Sequence, residues 1–231
     1  MNCKTIGLLG FSLISLPLVG YGQTPTATIP APTASILRQA KKMDSICKNI
    51  DRAIDGKKLA HRIYVDVGGA YREHWKRFKN QKEVDRLCNG DGMTEETGCY
   101  SSCYLYYQDG KPVLAAFSFS SPSGDWVTYA DYYFRPDGTV MKDHCDLRRF
   151  GALAIDASGR PLGDADGFLV RVIRDLYYDN LGKCLLAPPA KYFDMDKKKE
   201  VPKPAYMDGE WPGYLKLSDL PFHDLGTEPK P

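Results

Sequence analysis

Residues 100–120 read YSSCYLYYQDGKPVLAAFSFS, and this stretch decides the fold. Two runs rich in aromatic and apolar residues, 100–107 and 113–120, flank the pair Asp109-Gly110. An Asp-Gly pair between such runs is a strong hairpin signal, because both residues tolerate the positive φ that a tight turn requires. The stretch therefore predicts two adjacent antiparallel strands.

The same pattern continues along the chain. Residues 126–135 predict a third strand, which Pro136-Asp137-Gly138 turns into a fourth over residues 139–147. Residues 168–178 predict a long final strand. Since hairpin turns separate these runs and no helical pattern lies between them, we expect an antiparallel β-meander.

A helix is predicted before the sheet, over residues 35–54. Thr33 or Ser35 supplies an N-cap, and Asp55-Gly56 ends the pattern. The apolar residues recur at helical spacing and share one face, which we expect to pack on the sheet: Ile36, Ala40, Met43, Cys47, Ile50 and Ile54.

A second, shorter helix is predicted within residues 71–87, where Trp75 and Phe78 would share a face. Helices first and strands afterwards define an α+β domain, which we place at residues 35–187. Residues 188–231 are rich in proline and predict an irregular tail that aromatic residues, among them Tyr214 and Phe222, attach to the body.

The amino-terminal residues resemble an export signal. Lys4 precedes an apolar run over residues 6–19, and Gly20-Tyr21-Gly22 offers small residues at a cleavage site. We predict a signal peptide at 1–22 and a flexible Pro/Thr linker at 23–34. An uncleaved membrane anchor is the alternative. No later run is long and apolar enough to span a bilayer, so we expect an exported protein, periplasmic or secreted, without a transmembrane segment after signal removal.

Charge and cysteine content narrow the possible partners. Removing residues 1–22 takes away Lys4 and leaves a formal net charge of +1, which argues against a nucleic-acid-binding protein.

The cysteines do not show zinc-site spacing, so no metal and no cofactor is predicted. The even number that remains predicts a disulfide framework, in which Cys47 would join the helix to a sheet cysteine. Its members are Cys47, Cys88, Cys99, Cys103, Cys145 and Cys184.

Two residues are candidate catalytic groups. Asp131 lies within VTYADYYF, residues 127–134, and a carboxylate in such apolar surroundings would have a raised pKa. A structural role is the alternative, in which Asp131 accepts a tyrosine hydrogen bond or pairs with Arg171 or Arg174. His144 lies within KDHCD, residues 142–146, and would act as a base or lie on the surface as an ordinary polar residue.

Tyrosine is unusually frequent on the predicted strands. If one sheet face is exposed, it would suit a glycan or an envelope protein, because tyrosine offers contact area at low entropic cost. The candidate binding residues are Tyr104, Tyr106, Tyr129, Asp131, Tyr133 and Arg171. We therefore expect a non-enzymatic binding domain. The alternative is a small α+β enzyme with a pocket centred on Asp131 between helix and sheet.

Overall fold

The computed structural model describes residues 32–69, 73–88, 98–150, 158, 169–195, 197–203 and 213–226. The predicted signal peptide and residues 23–31 of the predicted linker lie outside these ranges. The described chain has two α-helices and an antiparallel sheet of ten strands, so the predicted α+β class is confirmed.

The first helix, α1, spans Ala34–Asp55, one residue longer at each end than the predicted range. The Thr33 side chain accepts a hydrogen bond from the Ile36 amide at 3.3 Å and caps the helix, as its position in the sequence predicts. Gly56 ends it, donating its amide to the Arg52 carbonyl. Ala40, Cys47 and Ile50 are the buried residues of the apolar stripe.

The second helix, α2, spans Gln81–Cys88. The strands are β1 (Ala60–Asp66), β2 (Trp75–Phe78), β3 (Ser101–Gln108), β4 (Lys111–Ser120), β5 (Trp126–Phe134), β6 (Val140–Phe150), β7 (Leu169–Tyr178), β8 (Cys184–Leu186), β9 (Lys191–Asp194) and β10 (Lys199–Val201). Their order across the sheet is β10-β9-β7-β6-β5-β4-β3-β1-β2, and β8 pairs with the end of β7.

The predicted hairpin between β3 and β4 is present. Asp109 and Gly110 both have positive φ, 50° and 75°, which is the requirement that makes Asp-Gly a good turn pair. The turn brings Tyr104 opposite Ala116 on the next strand. A local turn therefore sets the register that later positions the candidate site.

The sheet has two differently covered faces. On one, which we call the tail face, Phe222 stacks on Tyr64 with ring centroids 4.0 Å apart, and Tyr214 meets Tyr132 at 5.2 Å. The other, the helix face, packs against α1 through Leu114 and Tyr133. Strand alternation sends every second residue to each side, so each face supplies its own apolar cluster to one of these coverings.

Two predictions about chain segments differ from the structure. Trp75 and Phe78 lie on strand β2 rather than on a helix, because this segment pairs with β1, and the helix begins only at Gln81. The segment 188–231, predicted as irregular, contains β9 and β10, which extend the sheet beyond β7. Tyr214 and Phe222 do attach the tail to the sheet.

The predicted disulfides are not formed, and all six cysteines are free thiols. Cys88 and Cys99 approach to 2.6 Å without a bond. The predicted link from Cys47 to a sheet cysteine is wrong, since Cys47 lies against the helix face whereas Cys103 and Cys145 are buried on the tail face. The sheet itself separates these side chains.

Neither helix in the described part of the chain combines the length and the apolar character that crossing a bilayer requires.

Candidate functional site

One row of side chains crosses five strands on the helix face. Strand pairing places Tyr104 opposite Ala116, Ala116 opposite Asp131, and Asp131 opposite His144. His144 in turn lies opposite Asp175 on β7. The two candidate catalytic residues are therefore direct cross-strand neighbours, because β5 and β6 form one hairpin.

The adjacent row, towards the hairpin ends, lies beneath α1. The Tyr133 side chain is buried, with 5% of its surface exposed, and its hydroxyl donates to Asp51 at 2.8 Å. Tyr106 is half-buried and packs against the same apolar cluster as α1. Of the candidate binding residues, Tyr133 is thus enclosed in the helix–sheet interface.

The row on the other side of Asp131 contains Tyr129, which is 41% exposed. The Arg148 guanidinium lies 5.0 Å from the centre of the Tyr129 ring. Asp146, directly opposite Tyr129, accepts a bond from Arg148 at 3.1 Å and two from Arg171, at 2.9 and 2.8 Å. Arg171 is therefore held by Asp146, and the alternative in which it pairs with Asp131 is not observed.

Small side chains lie on the helix face between Tyr129 and Tyr104. They are Ala116 and Ser118 of β4, and both are half-buried. Tyr104 lies beside them on β3, and its hydroxyl donates a hydrogen bond to the Gln81 side chain of α2. We call this part of the helix face the central strip, and its members are Tyr104, Ala116, Ser118, Tyr129, Asp131 and His144.

Asp131 has an unusual environment within the central strip. It is half-buried and makes no hydrogen bond or ion pair with the described residues. Burial raises the pKa of its carboxyl from 3.8 to about 6, against the opposing effect of His144, and Asp51 and Asp146 raise it further. A carboxyl in this state exchanges a proton near neutral pH.

His144 is oriented by a carboxylate. Its Nδ1 lies 2.8 Å from Asp175 Oδ1, and this hydrogen bond raises the pKa of His144 above 6.5, although burial acts in the opposite direction. Burial favours a higher pKa for Asp175 as well, but hydrogen bonds from His144 and Lys142 leave it below its ordinary value. Asp175 thus binds the imidazole on one side and the Lys142 ammonium, at 3.1 Å, on the other.

Lys142 connects this polar network to α1. Its ammonium donates to Asp44 at 2.8 Å, and the Tyr177 hydroxyl donates to the same carboxylate at 2.9 Å. Burial lowers the pKa of Lys142, but the hydrogen bond to Asp44 and the charge of Asp175 raise it above its ordinary value, so the side chain stays charged. The helix is therefore attached to the sheet by charged groups as well as by its apolar stripe.

Sequence reasoning did not identify Asp175, Asp146 or Lys142 as part of this region. Alternation along β7 places Asp175 on the same face as Arg171, so part of the signal was present. The sequence does not show that β6 pairs with β7, and this pairing brings His144 and Asp175 together.

Asp131 does not line the large groove beside α1. That groove, about 1020 Å³ in volume, lies between α1 and the hairpin ends and is bordered by Met43, Ile50, Val113 and Met141 among others. Asp131 lies instead on the central strip. Among the described residues, no three His, Cys, Asp or Glu side chains converge closely enough to hold a metal ion.

No family model matches the chain, and its comparison with curated proteins and with solved structures found no significant match.

Proposed function

We propose that this protein is an exported, non-enzymatic domain that binds a glycan through the central strip. The observation that carries the proposal is Asp131, a half-buried carboxyl without a hydrogen-bond partner among the described residues, between an exposed tyrosine and an oriented histidine. The carboxyl is partly accessible to solvent, so a ligand hydroxyl can reach it and supply the hydrogen-bond partner that it lacks among the described residues.

The aromatic groups favour a ring-shaped ligand. Tyr129 is 41% exposed, and the Arg148 guanidinium lies 5.0 Å from the centre of its ring. The apolar face of a sugar ring can stack on such a surface, while its hydroxyl groups both donate and accept hydrogen bonds. Ala116 and Ser118 leave room for the sugar between Tyr129 and Tyr104.

Charge distinguishes a glycan from a protein partner. The centres of protein interfaces are poor in charged residues, whereas five charged side chains lie in or beside the central strip. They are Asp131, Asp146, Asp175, Arg148 and Arg171. Carboxylate and guanidinium groups suit hydroxyl-rich ligands, so we favour the glycan over the envelope protein.

The experiment is a titration of the purified protein with soluble oligosaccharides, including N-acetylglucosamine oligomers, followed by calorimetry. We expect Tyr129→Ala and Asp131→Asn each to weaken the binding at least tenfold. Leu181→Ala is the control, because Leu181 is 87% exposed and lies away from the strip. If no oligosaccharide binds, or if the control variant loses as much affinity as Tyr129→Ala, the proposal is wrong.

An acid–base enzyme acting at the same strip is the second candidate. It is favoured because Asp131 and His144 are cross-strand neighbours and because the Asp175 carboxylate orients the imidazole. A carboxyl and an imidazole placed side by side can take up and return protons. Incubation with the same oligosaccharides would reveal product. For an enzyme, Asp131→Asn would abolish turnover and leave measurable binding.

We also propose export and one disulfide. The segment with Lys4 and the apolar run over residues 6–19 supports export.

The 2.6 Å approach of Cys88 and Cys99 supports a disulfide bond between them in an oxidising compartment. Burial raises the pKa of the Cys47 and Cys145 thiols to about 12, so they stay protonated and unreactive. Peptide mapping under non-reducing conditions tests the Cys88–Cys99 disulfide, and a different cysteine pairing would refute it.

A further inference from the structure

The side of α1 that faces away from the sheet is strongly basic. Six charged side chains of this helix are exposed, and five of them are cations. The cations are Arg38, Lys41, Lys42, Lys48 and Arg52, and the anion is Asp55. Five cations and one anion give this outer side a net charge of +4, whereas the whole chain has +2. The remainder of the chain is therefore net acidic, and the excess of positive charge is concentrated on one helix.

The helix keeps its other acids on the inner side. Asp44 accepts hydrogen bonds from Lys142 at 2.8 Å and from Tyr177 at 2.9 Å. Asp51 accepts one from the Tyr133 hydroxyl at 2.8 Å. The five cations fall within about one third of the helix circumference, opposite the buried apolar stripe. Packing on the sheet thus uses the acids of α1 and leaves its cations facing outward.

The outward cations are not neutralised by their neighbours. None of the five makes an ion pair with any of the described residues. Arg52 donates one hydrogen bond, at 3.4 Å, to the neutral Asn49 side chain. Between Arg38 and Arg52 the helix rises about 21 Å, at about 1.5 Å per residue. A row of positive charge of this length matches a partner that carries negative charge over a similar distance, and not a single small anion.

Two exposed apolar side chains border the cations. Leu37 is 49% exposed and Ile46 is 40% exposed, and helical spacing places one on each side of the basic row. An acidic polysaccharide would bind such a surface chiefly through charge. A bilayer offers acyl chains directly beneath its anionic headgroups, so it can accept the apolar side chains together with the cations. The combination favours a lipid surface.

From this arrangement we propose that the outer side of α1 binds the surface of a bilayer that contains anionic phospholipids. The five cations contact the headgroups, and Leu37 and Ile46 enter the boundary between headgroups and acyl chains. The apolar stripe of α1 stays packed on the sheet, so the domain is held at the membrane surface in its folded form. This proposal does not depend on glycan binding, because the central strip lies on the sheet and not on the helix.

The test is cosedimentation of the full chain with vesicles of phosphatidylglycerol and phosphatidylcholine, in parallel with vesicles of phosphatidylcholine alone. We expect binding to the anionic vesicles only, and we expect added salt to weaken it because salt screens the charges. The combined substitutions Arg38→Gln, Lys41→Gln and Lys48→Gln should weaken the binding about 100-fold, since each cation near an anionic surface contributes a factor of about five. Glutamine has a helix propensity close to that of lysine and arginine, so α1 should persist.

A matched control removes three exposed cations elsewhere. Lys198→Gln, Lys199→Gln and Lys203→Gln lie at and beside β10, and together they should leave vesicle binding unchanged. The pair Lys42→Gln and Arg52→Gln samples the proposed surface independently and should weaken binding about 20-fold. The melting temperature of each variant shows that it is folded. Equal binding to neutral vesicles, binding that survives in both α1 variants, or an equal loss in the β10 control would each overturn the proposal.

The apolar residues distinguish a membrane from an acidic polysaccharide. Leu37→Gln combined with Ile46→Gln should weaken binding to the anionic vesicles several-fold, because these side chains would no longer enter the bilayer. The same variant should bind soluble polygalacturonate as the parent does. If polygalacturonate binds as tightly as the vesicles and the apolar substitutions have no effect on vesicle binding, the partner is a polysaccharide and the membrane proposal is wrong.

Discussion

Replacing Asp131 with asparagine should stabilise the protein at neutral pH. The carboxyl is half-buried, and burial raises its pKa from 3.8 to about 6 in the folded state. A raised pKa means that the folded protein holds the proton more tightly than the unfolded chain. The stabilisation from this proton is therefore complete below pH 3.8 and is lost as the pH rises through 6. At pH 7.5 the ionised group opposes folding.

The size of the effect follows from the same two values. A tenfold change in a protonation constant corresponds to about 1.4 kcal/mol, so the rise in the pKa of Asp131 limits the gain in the free energy of unfolding to about 3 kcal/mol. Solvent reaches part of the side chain and screens its charge, so we expect about 1–2 kcal/mol. Asparagine has nearly the same shape and no charge, and it should increase the free energy of unfolding by that amount at pH 7.5.

Urea denaturation at pH 4 and pH 7.5 measures this difference. The gain should appear at pH 7.5 and be largely absent at pH 4, where the aspartate is already protonated in the folded protein. Glu200→Gln removes an exposed carboxylate on the edge strand β10 and serves as the control for net charge. An unchanged or lower stability of Asp131→Asn at pH 7.5 would refute the reasoning that burial dominates at this position.

Three further outcomes are expected. Lys142→Met should lower the free energy of unfolding by about 2 kcal/mol in urea, because it leaves Asp44 without its ammonium partner, and an unchanged midpoint would show that the pair is unimportant. Asp175→Asn should lower the pKa of His144 in an NMR titration, since the hydrogen bond that raises this pKa is weakened, and it should remove stability that is present below pH 6.5 and lost through the raised pKa. Phe222→Ala should cost about 3–4 kcal/mol in urea denaturation, because the ring is 2% exposed and stacked in the core, and a loss below about 1 kcal/mol would contradict a structural role for the tail.

The elements that the sequence predicted well are those with local causes. The apolar stripe of α1 and its Thr33 cap lie within a few residues of one another, and helical spacing alone reveals them. The turn at Asp109-Gly110 depends on two residues that adopt positive φ. Such features can be inferred without knowledge of what the segment packs against.

The elements that the sequence predicted poorly depend on distant partners. Trp75 and Phe78 are three residues apart, a spacing that a short helix and a short strand can both contain, and only pairing with β1 selects the strand. The short strands β9 and β10 lie in a proline-rich segment and owe their conformation to the edge of β7. Local propensity is weak in such segments, and tertiary contacts decide the outcome.

By itself, the sequence determined the α+β class, the meander and the side of each meander strand on which a residue lies, because the turns and the two-residue alternation are local properties of the chain. Tyr129, Asp131 and Tyr133 are two residues apart from one another, so this alternation places them on one face. Only the tertiary structure decided that α1 buries Tyr133 and leaves Tyr129 exposed, and that His144 meets Asp175. The reason is that strand register and helix placement are set by packing between segments far apart in the chain, which no short stretch of sequence contains.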